Sequence, residues 1–252
     1  MIISHKYKYL FIEIPRTGST AISQELRRNY DGVSILRKHS DYLEFLKVAT
    51  PEEKKYFVFA GIRNPLDDAV SLYFKYKTNH KMKYTNPARL ATNGGSVTKA
   101  NITKFSFVQN TNADFPTFFK RSYKLPYNNI SSLSHQYCNF IIRFENLQED
   151  FATALQLIGI ESKGPLPQKN KTGGRAESFT AYYTPEAIAH AKKVFGPFMK
   201  KWGYEFPPEW GDSTVSPLTQ LEFQVVDSVR NFCWKHVRWS PSFYGRLFRQ
   251  VR

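Results

Sequence analysis

The sequence lacks the features of a secreted, membrane-spanning or disulfide-stabilised protein. Its 252 residues contain no run of eighteen apolar residues, and the stretch MIISHKYKYLFIEIP at the N-terminus has neither the apolar core nor the cleavage site of a signal peptide. The two cysteines, Cys138 and Cys233, lie far apart, with no second pair to complete a metal site. We therefore expect a soluble protein of the cytoplasm, with both thiols buried or inert and no bound metal.

Acidic residues are scarce. The chain carries 36 Lys and Arg against 21 Asp and Glu, a formal net charge of +15, which indicates an anionic partner. From Ala69 to Ala113 there is no acidic residue, whereas seven basic residues fall in this stretch: Lys75, Lys77, Lys81, Lys83, Arg89, Lys99 and Lys104. The stretch is either a surface that binds a polyanion or an ordinary solvated basic loop.

A complete phosphate loop of the form G-x-x-x-x-G-K-[ST] is also absent. The stretch FIEIPRTGSTAISQEL, residues 11–26, nevertheless predicts a strand, a loop and a helix. Gly18 allows backbone N–H groups to approach an anion closely, and Arg16 offers a forked cation. Ser19 and Thr20 add hydroxyl donors. The loop either binds a nucleotide without a metal or is an ordinary strand-to-helix turn with a Ser or Thr N-cap.

Alternating strand and helix patterns predict a three-layer α/β fold, with a central parallel β-sheet flanked by helices in a P-loop-like nucleotide-binding arrangement. The predicted strands cover residues 7–14, 32–37, 56–62 and 139–144. The predicted helices cover 20–30, 40–47, 147–158 and 185–202, and a further one starts at 65. Residues 78–135 show little periodicity apart from a helix near 115–121, so we predict an irregular excursion there.

The C-terminal segment differs in composition from the rest. From Trp234 to Arg252 there are five basic and no acidic residues, interleaved with aromatic ones. We predict a domain over residues 1–210 and a basic, aromatic helical extension over 211–252 that packs on it. Peripheral contact of this extension with an anionic membrane is the alternative. No pattern in the sequence defines an oligomeric state.

A second candidate for anion binding lies in GIRNPLDDAVSLYFKY, residues 61–76. Arg63 ends a predicted strand, and Ser71 shares a helix face with Asn64, so its hydroxyl returns toward the carboxyl end of that strand. Ligands of open α/β sheets bind at these carboxyl ends. Arg63 and Ser71 therefore either bind one phosphate of the same nucleotide or form a structural cap and a surface residue.

Three separated motifs resemble sulfotransferases that use 3′-phosphoadenosine 5′-phosphosulfate (PAPS). IPRTGSTAI resembles their 5′-phosphosulfate loop, and GIRNPLDDAVSLYFKY resembles their 3′-phosphate motif. Between them, RKHSDYLEF resembles the segment with the catalytic histidine in glycosaminoglycan 2-O-sulfotransferases. FIIRFENLQEDFATALQLIGI and the KKWGYEF ending resemble carbohydrate sulfotransferases of the same superfamily. The resemblance covers about residues 7–207.

The resemblance implies a metal-independent transfer of a sulfuryl group from PAPS to a hydroxyl of a carbohydrate, with 3′-phosphoadenosine 5′-phosphate (PAP) as product. The basic residues that follow Ser71 would suit a carbohydrate that is anionic. His39 would be the general base, since a histidine near neutral pKa accepts a hydroxyl proton. Arg16 stands where the family usually has lysine; it keeps the charge but is no proton donor. The implied donor-binding residues are Arg16, Thr17, Gly18, Ser19, Thr20, Arg63, Ser71, Lys169, Lys171 and Arg175. The implied acceptor-binding residues are Lys75, Lys77, Lys81 and Lys83.

Several alternatives stay open from the sequence. Glu13, at the end of the first predicted strand, is the rival base, unless it pairs with a neighbouring group. Arg143 and Glu145 look structural. A kinase-like phosphotransferase would need magnesium and a lysine in the loop. A nucleic-acid-binding module would explain the charge and the aromatic residues, but not the basic residues that follow strand ends, so we expect no nucleic acid as partner.

Overall fold

The structure of the protein, a computed structural model, describes residues 1–91, 97–128, 130–167, 174–176 and 178–237. The chain divides into two compact units, one of residues 1–64 and 129–171 and the other of residues 65–128 and 172–252. Within the described ranges, no helix is long and apolar enough to cross a membrane. The division into 1–210 and 211–252 stays a prediction.

The first unit contains a mixed sheet, of five strands among the described residues, in the order β3-β1-β2-β4-β5. The strands are β1 (Ile2–Ser4), β2 (Tyr9–Ile12), β3 (Val33–Ser34), β4 (Phe57–Ile62) and β5 (Phe140–Arg143). The α/β class is confirmed, but the prediction of a parallel sheet was wrong at β1, which runs antiparallel to β2 and β3. Only residues 5–8 join β1 to β2, whereas a parallel crossover needs about a dozen residues or more.

Helices follow the strands in the first unit and build the second. They are α1 (Ser19–Asn29), α2 (Tyr42–Leu46), α3 (Pro65–Lys77), α4 (Pro87–Ala91), α5 (Lys99–Thr111), α6 (Phe115–Ser122), α7 (Leu147–Ile158), α8 (Pro185–Trp202) and α9 (Pro217–Phe232). The predicted helices at 20–30, 40–47, 115–121, 147–158 and 185–202 and the one that starts at 65 are confirmed. Their ends agree to within the few residues by which helix ends are defined.

The predicted irregular excursion over 78–135 was wrong apart from the helix expected near 115–121, because α4 and α5 also lie within it. α5 has four apolar residues near its middle, Ile102, Phe105, Phe107 and Val108, but of these only Val108 is fully buried. Their spacing distributes them around the helix instead of along one face. Packing against the core of the second unit stabilises α5, and no periodic apolar pattern in the sequence predicts it.

Both faces of the sheet in the first unit are covered. Leu10 and Phe11 are successive residues of β2, and successive strand residues point to opposite faces. Phe11 packs in one core with Phe151 of α7 and residues of α1. Leu10 packs in another core with Phe45 of α2. The first unit therefore has three layers, with the sheet between two layers of helices.

The described part of the second unit is helical and has an aromatic core. Phe119 of α6 and Phe195 of α8 lie with ring centroids 5.4 Å apart, and Tyr73 of α3 lies 5.5 Å from Phe118. Such pairs stabilise a core beyond the area that they bury. α9 joins this unit through an ion pair, 3.0 Å long, between Asp227 and Lys201 of α8.

Candidate active site

The carboxyl ends of four strands meet at one edge of the sheet. β2, β4 and β5 are parallel neighbours, with Ile12 opposite Ala60 and Ile62 opposite Arg143. β3 has the same direction as β2, since both are antiparallel to β1. The segments that follow these strands therefore leave the sheet at this edge, where ligands of open α/β sheets bind. The structure brings the segments of Arg16, His39 and Arg63 together here.

The loop after β2 has a left-handed backbone at two positions, Arg16 (φ 67°) and Gly18 (φ 76°). A Cβ on Gly18 would lie 2.9 Å and 3.0 Å from the two Cδ atoms of Leu147, so the position requires glycine for space as well as for φ. No side chain caps the start of α1, and its first turn holds no acidic residue. The first helical N–H groups lack intrahelical acceptors and favour an anion.

Thr17 ties this loop to β4. Its hydroxyl donates to the carbonyl of Ile14 at 2.9 Å, and a Cβ on Gly61 would lie 2.6 Å from Thr17 Oγ1. His135 also contacts this strand, since its Nε2 lies 3.0 Å from the carbonyl oxygen of Gly61. Because its hydroxyl proton is donated to Ile14, Thr17 does not offer that O–H to a bound anion. Sequence reasoning missed Gly61, although a glycine inside an apolar strand is a known signal of close approach.

Arg63 connects three segments at the sheet edge. Its Nη1 donates to the carbonyl oxygen of Arg16 at 3.2 Å, and its Cζ lies 4.1 Å from the ring centroid of Phe144. The next residue, Asn64, donates its backbone N–H to Glu145 Oε1 at 2.8 Å. The segments after β2, β4 and β5 are thus fixed to one another, and Glu145 has a structural contact of the kind that the sequence suggested.

His39 lies in the same place and is held by the backbone. Its φ is 65°, and its Nδ1 lies 2.7 Å from the carbonyl oxygen of Glu13. A carbonyl only accepts, so Nδ1 carries the proton and Nε2 of the neutral ring is the acceptor. Burial lowers the pKa of His39, and the hydrogen bond to Glu13 opposes this in part. His39 is therefore neutral at pH 7, with Nε2 ready to accept a proton.

Two neighbours of His39 complete the site. The carboxylate of Glu13 is buried and lies 3.0 Å from the amino nitrogen of Met1, while its carbonyl orients His39. Lys38 is exposed, and its Nζ donates to Thr20 Oγ1 in the first turn of α1 at 3.2 Å. Sequence reasoning missed Lys38, because a contact across eighteen positions that depends on the turn at His39 leaves no local signal.

Most of the other predicted residues lie in the second unit. Ser71 is buried on α3, and its pairing with Arg63 stays a prediction. Arg175 forms an ion pair with Asp67 in the first turn of α3. Lys169 and Lys171 lie outside the described residues.

Burial and then the charges of Lys75, Lys81 and Lys83 lower the pKa of His80, and Lys77 Nζ lies 5.6 Å from the ring centroid of Tyr73.

Metal ligation finds no support in the described part of the chain, which holds no group of three or more His, Cys, Asp or Glu residues that could bind an ion. Both cysteines are free. Burial raises the pKa of Cys138 to about 12, so its thiol is protonated and unreactive at neutral pH.

An α/β architecture with an uncapped helix start, an arginine and a neutral histidine at one edge of the sheet is compatible with the class of group-transfer domains. Comparison with known proteins agrees with this class, because residues 1–196 match the profile of the sulfotransferase family. The chain therefore belongs to the sulfotransferase family. No curated protein and no solved structure gives a significant match.

Proposed function

We propose that the protein transfers a sulfuryl group from PAPS to a hydroxyl of an anionic carbohydrate, without a metal. Family membership supports sulfuryl transfer in general. The observation that carries the proposal is the 2.7 Å contact of His39 Nδ1 with the carbonyl of Glu13. It leaves Nε2 as the acceptor atom beside the loop after β2, which is what a general base for a hydroxyl requires.

The residues at the sheet edge fit the donor. The N–H groups at the start of α1 and the cation Arg16 would hold its 5′-phosphosulfate. Arg63 with Ser71 would bind its 3′-phosphate. The basic loop with Lys169, Lys171 and Arg175 would close over the nucleotide, and its Arg175 is anchored by Asp67.

Bound PAPS would supply an activated sulfuryl group, and the protein would supply position and charge. His39 Nε2 accepts the hydroxyl proton, and the Glu13 carbonyl stabilises the imidazolium through Nδ1–H. Arg16 neutralises charge on the departing phosphate. Glu13 is the rival base, but its side chain is buried against the amino group of Met1. We therefore assign Glu13 the role of orienting His39 through its carbonyl group.

A carbohydrate that carries carboxylates or sulfates is the proposed acceptor, of the glycosaminoglycan 2-O type that the motifs resemble. The charges of Lys75, Lys81 and Lys83 act on the same histidine, His80, so these lysines form one basic cluster. Together with Lys77 they would attract a polyanion by long-range electrostatics. A phenolic or neutral acceptor would carry no negative charge for this cluster to attract.

Transfer of labelled sulfate from PAPS tests the proposal. Incubation with desulfated heparin, chondroitin and a simple phenol, in the presence of a chelator, should label a glycan; His39→Ala is the matched control. Label on the phenol alone would overturn the acceptor class, and loss of transfer on chelation would overturn metal independence. Labelled phosphate transfer from ATP with magnesium would instead support the kinase-like alternative. Nucleic acid should not compete with PAPS.

A further inference from the structure

Lys38 and His39 lie on either side of the loop after β2. His39 contacts the carbonyl of Glu13, where the loop begins, at 2.7 Å. Lys38 Nζ lies 3.2 Å from Thr20 Oγ1 in the first turn of α1, where the loop ends. One dipeptide thus places a neutral imidazole at one end of the loop and an ammonium at the other.

The ammonium of Lys38 lies where a cation is unfavourable by itself. The N-terminus of a helix carries partial positive charge, and the first turn of α1 offers no acidic side chain to offset it. Arg16 of the same loop adds a further positive charge. An anion bound at this place would reduce the repulsion among these charges, so the arrangement favours an anionic ligand.

We propose that Lys38 is a catalytic cation that binds the phosphosulfate of the donor and is positioned by Thr20. This inference rests on the proposed function. An ammonium has three N–H donors, of which Thr20 accepts one, so the others are directed away from that hydroxyl. Because Thr20 accepts from Lys38, its own O–H proton also points away and can reach the same anion.

Lys38 would act on the leaving group, as His39 acts on the acceptor. His39 Nε2 takes the hydroxyl proton while the acceptor oxygen bonds to sulfur, and the bond from sulfur to the bridging oxygen breaks with its electron pair left on the phosphate of PAP. Lys38 donates a hydrogen bond, or its proton, to that oxygen. Arg16 has no such capacity, since a guanidinium does not release its proton at neutral pH.

Substitutions at Lys38 and at a distant lysine distinguish a catalytic role of Lys38 from a general effect of positive charge. We would compare wild type with Lys38→Ala, Lys38→Arg and the control Lys54→Ala, whose residue is exposed and precedes β4 at the opposite edge of the sheet. PAP affinity by calorimetry and the rate of sulfuryl transfer are measured for each. Lys38→Ala should lower kcat by about a hundredfold and PAP affinity by at most about tenfold. Lys38→Arg should restore affinity but not the full rate, and Lys54→Ala should match wild type.

The pH profile gives a second readout that a merely structural lysine would not change. The charge of Lys38 lowers the pKa of His39, so its removal should move the acidic limb of the kcat profile to higher pH. Wild-type rate and an unmoved limb in Lys38→Ala overturn the proposal while the sulfotransferase assignment stands. Absence of PAP binding to wild type would overturn the proposed function itself. Lys38→Gln, with a matching thermal melt, guards against misfolding.

An independent observation concerns α9, which has an exposed apolar stripe. Five large apolar side chains at spacings of three and four residues are 55–76% exposed: Leu218, Leu221, Val225, Val229 and Phe232. Such spacing places them on one helix face. The helix is held on its other side, where Phe223 is buried and Arg230 Nη1 donates to the carbonyl of Pro126 at 2.9 Å. The stripe therefore points outward from a fixed helix.

We infer that the stripe docks on an anionic membrane surface. Lys235 and His236 are exposed immediately after α9, and residues 234–252 contain five basic and no acidic residues. An apolar helix face that is followed in the sequence by basic residues suits a bilayer with anionic headgroups.

Vesicle flotation of the full chain tests this inference. The protein should float with vesicles of phosphatidylcholine and phosphatidylglycerol, and remain unbound with phosphatidylcholine alone or at high salt. The double variant Leu221→Glu with Val225→Glu should lose binding. Leu157→Glu, at a 56% exposed leucine of α7, is the matched control and should still float. Binding unaffected by the double variant, or a dimer in light scattering that the double variant abolishes, would overturn the inference.

Discussion

Arg63 donates a hydrogen bond from its guanidinium to the main-chain carbonyl of Arg16, 3.2 Å away. The contact joins the end of β4 to the loop after β2, so two predicted anion-binding residues belong to one assembly. Phe144, after β5, lies 4.1 Å from the same guanidinium. The arginine is thereby oriented by three segments of one sheet edge, and orientation of this kind lowers the entropic cost of ligand binding.

Arg63→Ala should weaken PAP binding by about ten- to a hundredfold, since hydrogen bonds to charged groups contribute about 1.5–3 kcal/mol. Calorimetric titration measures the effect. Arg63→Lys keeps the charge but not the fork, and should recover only part of the affinity. Equal PAP affinity in wild type and Arg63→Ala would remove Arg63 from the nucleotide site.

Gly18→Ala should destabilise the fold, because alanine would be held at φ 76° with its Cβ 2.9 Å from a Leu147 methyl carbon. We expect about 1–3 kcal/mol from backbone strain, increased by the clash. Urea unfolding measures it. Gly159→Ala is the control, since Gly159 has φ 80° but no atom within 4 Å of the added Cβ, and it should lose only the strain. Equal losses in the two variants would show that the space beside Gly18 is unimportant.

His39 should set the acidic limb of the pH profile of sulfuryl transfer. Burial lowers its pKa, and the base must be neutral, so activity should be full at pH 7 and fall only below the ordinary histidine value of about 6.5. His39→Gln should keep PAP binding and lose about 10²- to 10⁴-fold in rate. Normal turnover by His39→Gln would make Glu13 the candidate base.

The basic cluster of Lys75, Lys81 and Lys83 should bind acceptor and not donor. Replacing all three by alanine should raise KM for a sulfated glycan about tenfold, because each exposed charge pair contributes up to about 1 kcal/mol. PAP affinity should stay unchanged. The difference should shrink with added salt. A triple variant of Lys6, Lys54 and Lys55 is the control with the same change in net charge. An equal rise of KM in this control would indicate unspecific attraction.

Much of the site could be predicted from local patterns. The loop after β2, the start of α3 at Pro65 and the strand before Arg63 each carry their signals in adjacent residues: an apolar run, an N-cap residue, a glycine or a proline. The direction of β1 was not foreseen, since three residues carry no signal of their own and strand pairing decides it.

Contacts between distant segments could not be predicted in this way. The tautomer of His39 depends on the carbonyl of Glu13, which is 26 positions away. The role proposed for Lys38 depends on the left-handed backbone at His39, a conformation that is uncommon for residues other than glycine. Local propensity describes the elements, and packing at the sheet edge determines which side chains meet.

Calorimetric titration with PAP, in the presence and absence of magnesium, tests the central claim most directly. The arrangement of Arg16, Gly18 and Arg63 around the start of α1 predicts binding in the micromolar range that magnesium does not change. Absence of binding at these concentrations, or binding that requires magnesium, would contradict it.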